Sequence, residues 1–259
     1  MSADARSIDL NSDLGESYGP WRMGDDAAML DLVTSANVAC GGHASDPETM
    51  FATLTSARER GVVVGAHPGY PDLLGFGRRR LPYTPAECER FVAAQIGALC
   101  GVAALAGTRV AYVKPHGALG NLAAEDRDTA AAIARATAAV DRSMRVLAIS
   151  GTVLEDVARD FGLAVVSEVF ADRGYLADGR LVPRDRPGAM LKDADAVTAR
   201  MVGFLRSGLM PVVEGDPIPL KAESICVHGD GPGAVALARG LRDGLAREGI
   251  AIRPFIDPP

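Results

Sequence analysis

Seven short apolar segments alternate with helical patterns along this chain, and this alternation limits the fold more than any other feature. Most of the segments are continuous runs of β-branched and aliphatic residues, which is typical of parallel strands buried on both faces. Stretches of helical length separate several of them, as at 46–61, 84–107 and 125–141. The predicted strands are SIDLNS (7–12), SANVAC (35–40), GVVVGA (61–66), RVAYVK (109–114), RVLAIS (145–150), AVVSEV (164–169) and ESICVH (223–228).

A strand–helix alternation of this length fits either a closed barrel or an open, doubly wound sheet. An open sheet places its site at one switch point, whereas a barrel collects residues from the C-terminal ends of nearly all its strands. Polar residues follow almost every predicted strand here. We therefore predict an α/β fold, an irregular (β/α)7-type TIM-like barrel. The strand-end residues are Asn11, Asp13, His43, His67, Lys114, His116, Glu168, Asp172, His228 and Asp230.

The length of 259 residues is usual for one barrel, and no linker or repeat divides the chain. We predict a single domain over 1–259. The less regular, arginine-rich stretch at 171–216 is expected to cross the barrel mouth, with a hairpin turn at Asp178-Gly179. Residues 212–224 are expected to form a small strand pair before the last barrel strand.

The net charge of −6 and the lack of a basic block disfavour nucleic acid and anionic membranes as partners. The longest apolar run, 91–107, is shorter than a membrane span and is expected to be a helix buried against the sheet. The N-terminus shows no signal-peptide pattern, so a cytoplasmic location with reduced cysteines is expected. Cys40 and Cys226 near histidines suggest a catalytic thiol, but buried cysteines more often act as small apolar residues.

All four histidines, His43, His67, His116 and His228, follow short apolar stretches, and each has glycine within two residues. One such histidine would more often be structural. Their recurrence at strand ends favours function, because the barrel brings these ends into one mouth. The chemistry suggests a hydrolase or lyase that uses histidines and carboxylates, with one metal ion as an option.

The other candidates each have a structural alternative. The motif at 8–16 holds Asn11, Asp13 and Glu16, and a carboxylate there can ligate a metal or act as a base, but Asn and Asp are also turn formers. Lys114 can hold a substrate anion or pair with Glu168. Arg173 can clamp a carboxylate.

The C-terminal candidates, His228 and Asp230, precede a glycine-rich turn into a helix. That turn suggests an anion site, with Asp230 as a simple helix cap being the alternative. The chain contains no phosphate-binding P-loop, no dinucleotide fingerprint and no serine nucleophile elbow.

Long motifs in this chain resemble the LamB/YcsF family, the A subunits of 5-oxoprolinases. The resemblance covers nearly the whole sequence from about Ile8. It is carried by DLNSDLGES (9–17), ANVACGGHASD (36–46), GAHPGYPDLLGFGRR (65–79), VKPHGALGN (113–121), SEVFADRGY (167–175), DGRLVPR (178–184) and ICVHGDGPGA (225–234).

The resemblance implies ATP-dependent hydrolysis of 5-oxo-L-proline to L-glutamate, with ADP and phosphate released. It also implies a glycoside hydrolase/deacetylase-like barrel, with two partner proteins, subunits B and C. Because phosphate-binding loops are missing, the ATP site is expected to lie largely in the partners.

The resemblance also suggests roles. Asp13, His43, His67, His116, Lys114 and Glu168 are the catalytic candidates. Substrate contacts are expected from Asn11, Arg173, His228 and Asp230. By analogy with the related deacetylases, Asp13 with two of His43, His67 and His116 could hold a divalent metal. Two alternatives remain open, a stand-alone metal-dependent deacetylase or amidohydrolase, and a non-catalytic lactam-binding protein of the same complex.

Overall fold

A closed ring of seven parallel strands forms the centre of the molecule. The computed structural model describes residues 7–229, 231 and 233–258. The ring strands are β1 (Ser7–Leu14), β2 (Ser35–Ala39), β3 (Val63–His67), β4 (Val110–Val113), β5 (Arg145–Ile149), β6 (Val165–Phe170) and β9 (Ser224–Cys226). They neighbour one another in this order, and β9 pairs with both β6 and β1, which closes the ring. The predicted seven-stranded α/β barrel is confirmed.

Helices surround the ring, and three begin at the capping residues that the sequence indicates. The helices are α1 (Asp26–Leu30), α2 (Pro47–Glu59), α3 (Pro85–Ala106), α4 (Gly117–Ala123), α5 (Arg127–Val140), α6 (Val153–Asp160), α7 (Ala194–Ser207) and α8 (Ala234–Arg247). Asp46, Thr84 and Asp126 cap α2, α3 and α5 by accepting backbone N–H groups. At Thr84 the capping is reciprocal, because Glu87 accepts the Thr84 backbone N–H in return.

Helix α3 is long and apolar enough, by length and composition, to cross a membrane. Its buried positions Val92, Ile96, Leu99 and Ala103 recur at helical spacing and belong to the hydrophobic core. The helix therefore packs as one of the outer helices of the barrel, as predicted for the apolar run at 91–107.

The stretch after β6 combines a cavity-lining segment with a helix that the sequence analysis did not predict. Tyr175 and Leu181 bridge antiparallel around Gly179, which confirms the predicted turn. Helix α7 then packs closely on α8, since a Cβ on Gly244 would lie 2.1 Å from the Thr198 side chain. Beyond α7, β7 (Leu209–Met210) pairs antiparallel with β8 (Ile218–Pro219). The strand pair was predicted within 212–224. Strand β8 lies in that stretch, but β7 lies before it, directly after α7.

Apolar side chains pack where the C-terminal segment of the chain meets the barrel. Tyr112, Val63, Leu147 and Val166 form a small cluster there, and the Phe255 ring lies 5.1 Å from the Tyr112 ring. Phe255 follows the last strand, β10 (Ala251–Ile252), which pairs with the start of β1.

Polar side chains also occupy the barrel interior, in contrast to the branched aliphatic residues usual in such barrels. Asp9, Asn11 and Asp13 alternate along β1 and are all buried. Asp9 accepts hydrogen bonds from the hydroxyls of Thr34 (2.6 Å), Ser35 (2.7 Å) and Ser224. Burial raises the pKa of Asp9 from its usual 3.8 to about 6, although these hydroxyls oppose the shift.

This raised pKa predicts a pH dependence of stability. Between about pH 4 and pH 6 the folded protein holds the Asp9 proton more tightly than the unfolded chain. The free energy of unfolding should therefore fall as pH rises through this window. Asp9→Asn should abolish this pH dependence, which amounts to about 3 kcal/mol in the free energy of unfolding. Urea unfolding at several pH values measures it. The exposed Asp257→Asn serves as control. An unchanged pH profile in Asp9→Asn would contradict this assignment.

Candidate active site

A cavity of about 380 Å³ opens at the C-terminal ends of the barrel strands, where active sites of this architecture lie. Strand ends and the following loops supply its polar lining. Among the lining residues are Asp13, Glu16, His67, Arg78, Lys114, His116, Glu168, Arg173, Arg184 and His228. Most of the predicted strand-end residues thus meet in one place. The predicted residue Asp230 lies outside the described part of the chain.

Lys114 forms the charged centre of the barrel mouth. Its Nζ lies 2.9 Å from Glu168 Oε1 and 3.1 Å from Asp13 Oδ1, and all three side chains are buried. Burial alone would lower the pKa of Lys114, but Asp13, Cys226 and Glu168 hold it well above its usual value. The ammonium group is therefore charged and its hydrogens are directed to protein partners. This favours the ion-pair alternative for Lys114 over direct capture of a substrate anion.

The two carboxylates beside Lys114 differ in acidity. Burial raises the pKa of both, but at Asp13 the charges of His67 and Lys114 outweigh burial, so its pKa falls well below 3.8. At Glu168 burial prevails over Lys114, and its pKa is raised. Asp13 is thus the ionised carboxylate of the cavity. Two groups with opposite shifts in one site are a common mark of acid–base chemistry.

His67 and His116 are oriented by backbone carbonyl groups, which can only accept hydrogen bonds. His67 Nδ1 lies 2.7 Å from the Lys114 carbonyl oxygen, and His116 Nε2 lies 2.9 Å from the Phe76 carbonyl oxygen. In the neutral rings these nitrogens carry the hydrogens. The other nitrogens, His67 Nε2 and His116 Nδ1, then face each other with lone pairs at 3.0 Å. This arrangement requires a proton or a cation between the two rings.

Two carboxylates lie beside the facing nitrogens. Asp13 Oδ2 is 3.3 Å from His67 Nε2, and Glu16 Oε1 is 3.6 Å from His116 Nδ1. Burial, together with the nearby His67, holds the pKa of His116 well below its usual value, so its ring is neutral. Neutral imidazoles and ionised carboxylates are the donors that divalent transition metals prefer.

His43 supports this cluster from behind. Its ring stacks on His116 at 3.6 Å between centroids, and its Nε2 lies 3.1 Å from Glu16 Oε1. Its Nδ1 is buried without a hydrogen-bond partner among the described residues, facing Gly69, where a Cβ would lie only 2.7 Å away. Burial, with the neighbouring His116 and His67, lowers its pKa strongly.

The residues present therefore fit a metal ion. Glu16, His43, His67 and His116 can each supply one ligand atom, and these atoms all lie within 4.8 Å of one another. The sequence analysis named Glu16 as a carboxylate able to ligate a metal, but the set suggested by the resemblance contained Asp13 in its place. Glu16 follows Asp13 by three residues in the same motif, so the signal was present, but only the loop geometry turns its carboxylate toward His43 and His116.

The cysteines are not activated thiols. Cys40 and Cys226 are buried, and burial raises the pKa of both. Cys40 accepts the His67 backbone N–H at 3.2 Å, and Cys226 Sγ lies 3.1 Å from Lys114 Nζ. Their placement agrees with the structural alternative stated for them.

The remaining candidates occupy distinct places. Asn11 lies below the mouth, where its amide donates to Glu168 and Ser224 and accepts from Lys114, which favours a supporting role. Arg173 and His228 lie on the cavity wall. His228 Nδ1 donates to the Asp172 carboxylate at 2.9 Å.

A hydrogen-bond chain that the sequence analysis missed orients Asp13. The Tyr112 hydroxyl donates to Asn37 Oδ1 (2.7 Å), and Asn37 Nδ2 donates to Asp13 Oδ1 (2.8 Å). The Tyr112 ring lies over Gly65, where a Cβ would be 2.2 Å from it, so only glycine leaves room for the ring. The Tyr112–Asn37 hydrogen bond joins residues 75 positions apart, and nothing in the local pattern of the Tyr112 strand indicates it.

Tyr112→Phe should therefore lower kcat and change KM little, because Asp13 loses its fixed orientation while the cavity wall is intact. Leaving the Asn37 oxygen unpaired should also lower the free energy of unfolding by about 1–3 kcal/mol. Steady-state kinetics and urea unfolding measure the two effects, with Tyr83→Phe as a surface control. A kcat equal to that of the control would argue against the orienting chain.

Comparison with known proteins shows the family of this chain. The sequence model of the LamB/YcsF family matches residues 8–258. The chain belongs to the LamB/YcsF family. It is 56% identical over 248 residues to the A subunit of the 5-oxoprolinase of Paracidovorax citrulli, covering 96% of this chain and 99% of that protein. It is 53% identical over 249 residues to the corresponding 5-oxoprolinase protein of Gluconobacter oxydans, covering 96% and 98%.

Two solved structures share the fold of this chain. The lactam utilization protein of Thermus thermophilus superposes with a TM-score of 0.91 at 41% identity, covering 96% of this chain and all of that one. A putative cellobiose-phosphate cleavage protein of Enterococcus faecalis gives a TM-score of 0.58 at 11% identity over 96% of this chain and 97% of that one, which shows a shared fold alone.

Proposed function

We propose that this chain is the A subunit of a 5-oxoprolinase, which hydrolyses 5-oxo-L-proline to L-glutamate with consumption of ATP. The observation that carries the proposal is near full-length identity, 56% over 248 residues, with a protein of that name. The cavity adds chemical support, because it holds an ionised carboxylate beside two imidazole nitrogens that face each other at 3.0 Å and require a proton or a cation between them.

Opening a lactam ring requires attack of water on a stable amide carbon and protonation of the departing nitrogen. In this proposal Asp13, whose Oδ2 lies 3.3 Å from His67 Nε2, takes the proton of the attacking water, with the imidazole pair of His67 and His116 beside it. The raised pKa of Glu168 suits a group that holds a proton for the ring nitrogen as the C–N bond breaks. Lys114 contacts both carboxylates and favours the ionised form of each, so burial is what keeps the pKa of Glu168 raised.

ATP supplies the driving force in this proposal. Phosphorylation of the amide oxygen makes the ring carbon electrophilic toward water. When the C–N bond then breaks, the phosphoryl group remains on the new carboxyl group as an acyl phosphate, and a second water hydrolyses it to glutamate and phosphate. The sequence has no phosphate-binding P-loop, so we assign nucleotide binding to the partner subunits B and C. A divalent ion bound by Glu16 with His67 and His116 would lower the pKa of its bound water and so supply a nucleophile at neutral pH.

The test measures glutamate release from 5-oxoproline by this chain alone and with its partner subunits B and C, each with and without ATP. We expect release only when both partners and ATP are present. No release in any mixture, with the partners verified as folded, would overturn the proposal.

A stand-alone metal-dependent amidohydrolase is the second candidate, and the Glu16, His43, His67 and His116 cluster is the observation that favours it. Metal analysis of the purified chain, followed by lactam and N-acetyl substrate assays without ATP, tests it. Hydrolysis that is lost on chelation and restored by one metal would support this candidate. Activity that depends on ATP and partners would exclude it.

A further inference from the structure

Three arginines reach the same cavity, and the function described above does not require all of them. Arg78, Arg173 and Arg184 line it together with the histidine cluster. We call these three residues the arginine trio. Arg173 is the most deeply placed, with only 4% of its surface exposed. Its Nε donates to the Ala189 carbonyl oxygen at 3.1 Å, and its Nη2 donates to the Val182 carbonyl oxygen at 2.7 Å.

Arg184 is held by an aspartate–histidine pair. A carboxylate only accepts, so His228 Nδ1 carries the hydrogen toward Asp172, and His228 Nε2 is left as an acceptor. Arg184 Nη2 lies 3.0 Å from that Nε2 and donates to it. His228 therefore orients a guanidinium group rather than acting as a base. This explains why a strand-end histidine and an aspartate lie beside the cavity without joining the other three histidines.

Arg78 is positioned by an aromatic ring. Its guanidinium carbon lies 4.9 Å from the centroid of Phe76, the residue whose carbonyl also fixes His116. The arginine trio is thus anchored at the cavity by backbone carbonyls, an imidazole and a phenyl ring. A binding site arranged before its ligand arrives loses less entropy on binding.

Within the described residues the Arg173 guanidinium group hydrogen-bonds to backbone carbonyl oxygens, and the neighbouring Asp172 acts on its charge only from a longer distance. A buried charge is costly unless it is paired. Burial and the repulsion of Arg184 and Arg78 lower the pKa of Arg173 to about 10. The three positive charges therefore act on one another across the cavity, and an anion bound between them would relieve the repulsion.

We infer that the arginine trio forms a subsite for a phosphate-type oxyanion in this cavity. The inference rests on the proposed function only for the origin of that group. Guanidinium forks match the oxygens of a phosphoryl group, and a dianion compensates several cations better than the single carboxylate of a lactam does. The cavity of about 380 Å³ also exceeds what a small five-membered lactam needs.

Two sources can supply this oxyanion: a phosphorylated form of the lactam received from the partner subunits, or the terminal phosphate of a nucleotide. The shared chemistry is the phosphoryl group, and the test below separates the sources. Either source would place a phosphoryl group next to the histidine cluster.

The test is calorimetric titration of the isolated full-length chain with inorganic phosphate, and with acetate as a monocarboxylate. We expect saturable phosphate binding that is at least about tenfold tighter than acetate binding. Arg184→Gln should weaken phosphate binding by about tenfold or more, since it removes one charge-assisted contact. Arg186→Gln, an exposed arginine two residues away that does not line the cavity, is the matched control and should bind as the unmodified chain does.

A second arm uses a non-hydrolysable ATP analogue as competitor. Competition at lower concentration than phosphate would identify the nucleotide as the source, and no competition would identify a phosphorylated lactam. No phosphate binding, or equal binding by Arg184→Gln and Arg186→Gln, would overturn the subsite. Thermal melting of each variant distinguishes a lost contact from a lost fold. Glutamate release by the complex is measured separately, so the subsite can fail while the proposed function stands.

Discussion

His116→Ala is expected to lower glutamate formation by the complete complex by about 10²- to 10⁴-fold, the range for loss of a positioned acid–base group. The alanine removes the nitrogen that faces His67 Nε2 at 3.0 Å and a member of the candidate metal cluster. The fold should persist, because His116 lies at the barrel mouth, outside the hydrophobic core. Asp13→Ala should behave similarly, since it removes the ionised carboxylate of the cavity.

The matched variant is His116→Gln, whose amide can still donate to the Phe76 carbonyl oxygen but lacks the imidazole lone pair. If His116 acts through that lone pair, glutamine should be nearly as inactive as alanine while melting close to the unmodified chain. Metal content of both variants should fall together with activity. Full activity in either alanine variant, measured as ATP-dependent glutamate release, would refute the assignment of that residue.

Lys114→Met should give the largest loss of stability of any substitution considered, about 3–5 kcal/mol in the free energy of unfolding. Methionine fills a similar volume but leaves Asp13 and Glu168 buried together without their shared cation. Lys192→Met, at an exposed position, is the control and should change stability by less than about 0.5 kcal/mol. Urea unfolding monitored by circular dichroism measures both variants.

The double variant Lys114→Met with Glu168→Gln separates charge from packing. Removing one of the two uncompensated carboxylates should recover part of the lost stability, because the remaining repulsion is smaller. Activity should not recover, since glutamine cannot hold the proton that the proposed mechanism assigns to Glu168. A loss below about 1 kcal/mol in Lys114→Met alone would show that the ion pairs are not a stabilising feature of the mouth.

The sequence predicted the barrel well because each strand and helix carries its own local signal. The run VVVGA at 62–66 is too short and too continuously apolar for a surface helix, and Thr84 before Pro85 marks a helix start. Helix α7 was missed because its segment follows a long turn-rich stretch. Its packing on α8 through Gly244 depends on a residue more than forty positions away.

The pairing of the site residues could not be predicted in the same way. The sequence showed that the histidines end strands, but not that His228 would pair with Asp172 and Arg184 while the other three form a cluster. The sequence also left open whether Lys114 forms an ion pair or holds a substrate anion. The distances to both Asp13 and Glu168 favour the ion pair.

The sequence by itself determined that this chain forms an α/β barrel of the LamB/YcsF family with chemistry-bearing residues at its C-terminal mouth. The hydrophobic period, the helix caps and the turn residues each depend on residues within a few positions of one another. Strands and helices can therefore be predicted from the sequence alone. Only the tertiary structure decided that Glu16 joins the candidate metal cluster, that Asn37 and Tyr112 orient Asp13, and which arginines reach the cavity. These contacts depend on strand register and loop direction, which join residues far apart in sequence, such as Asn11 and Glu168, 157 positions apart.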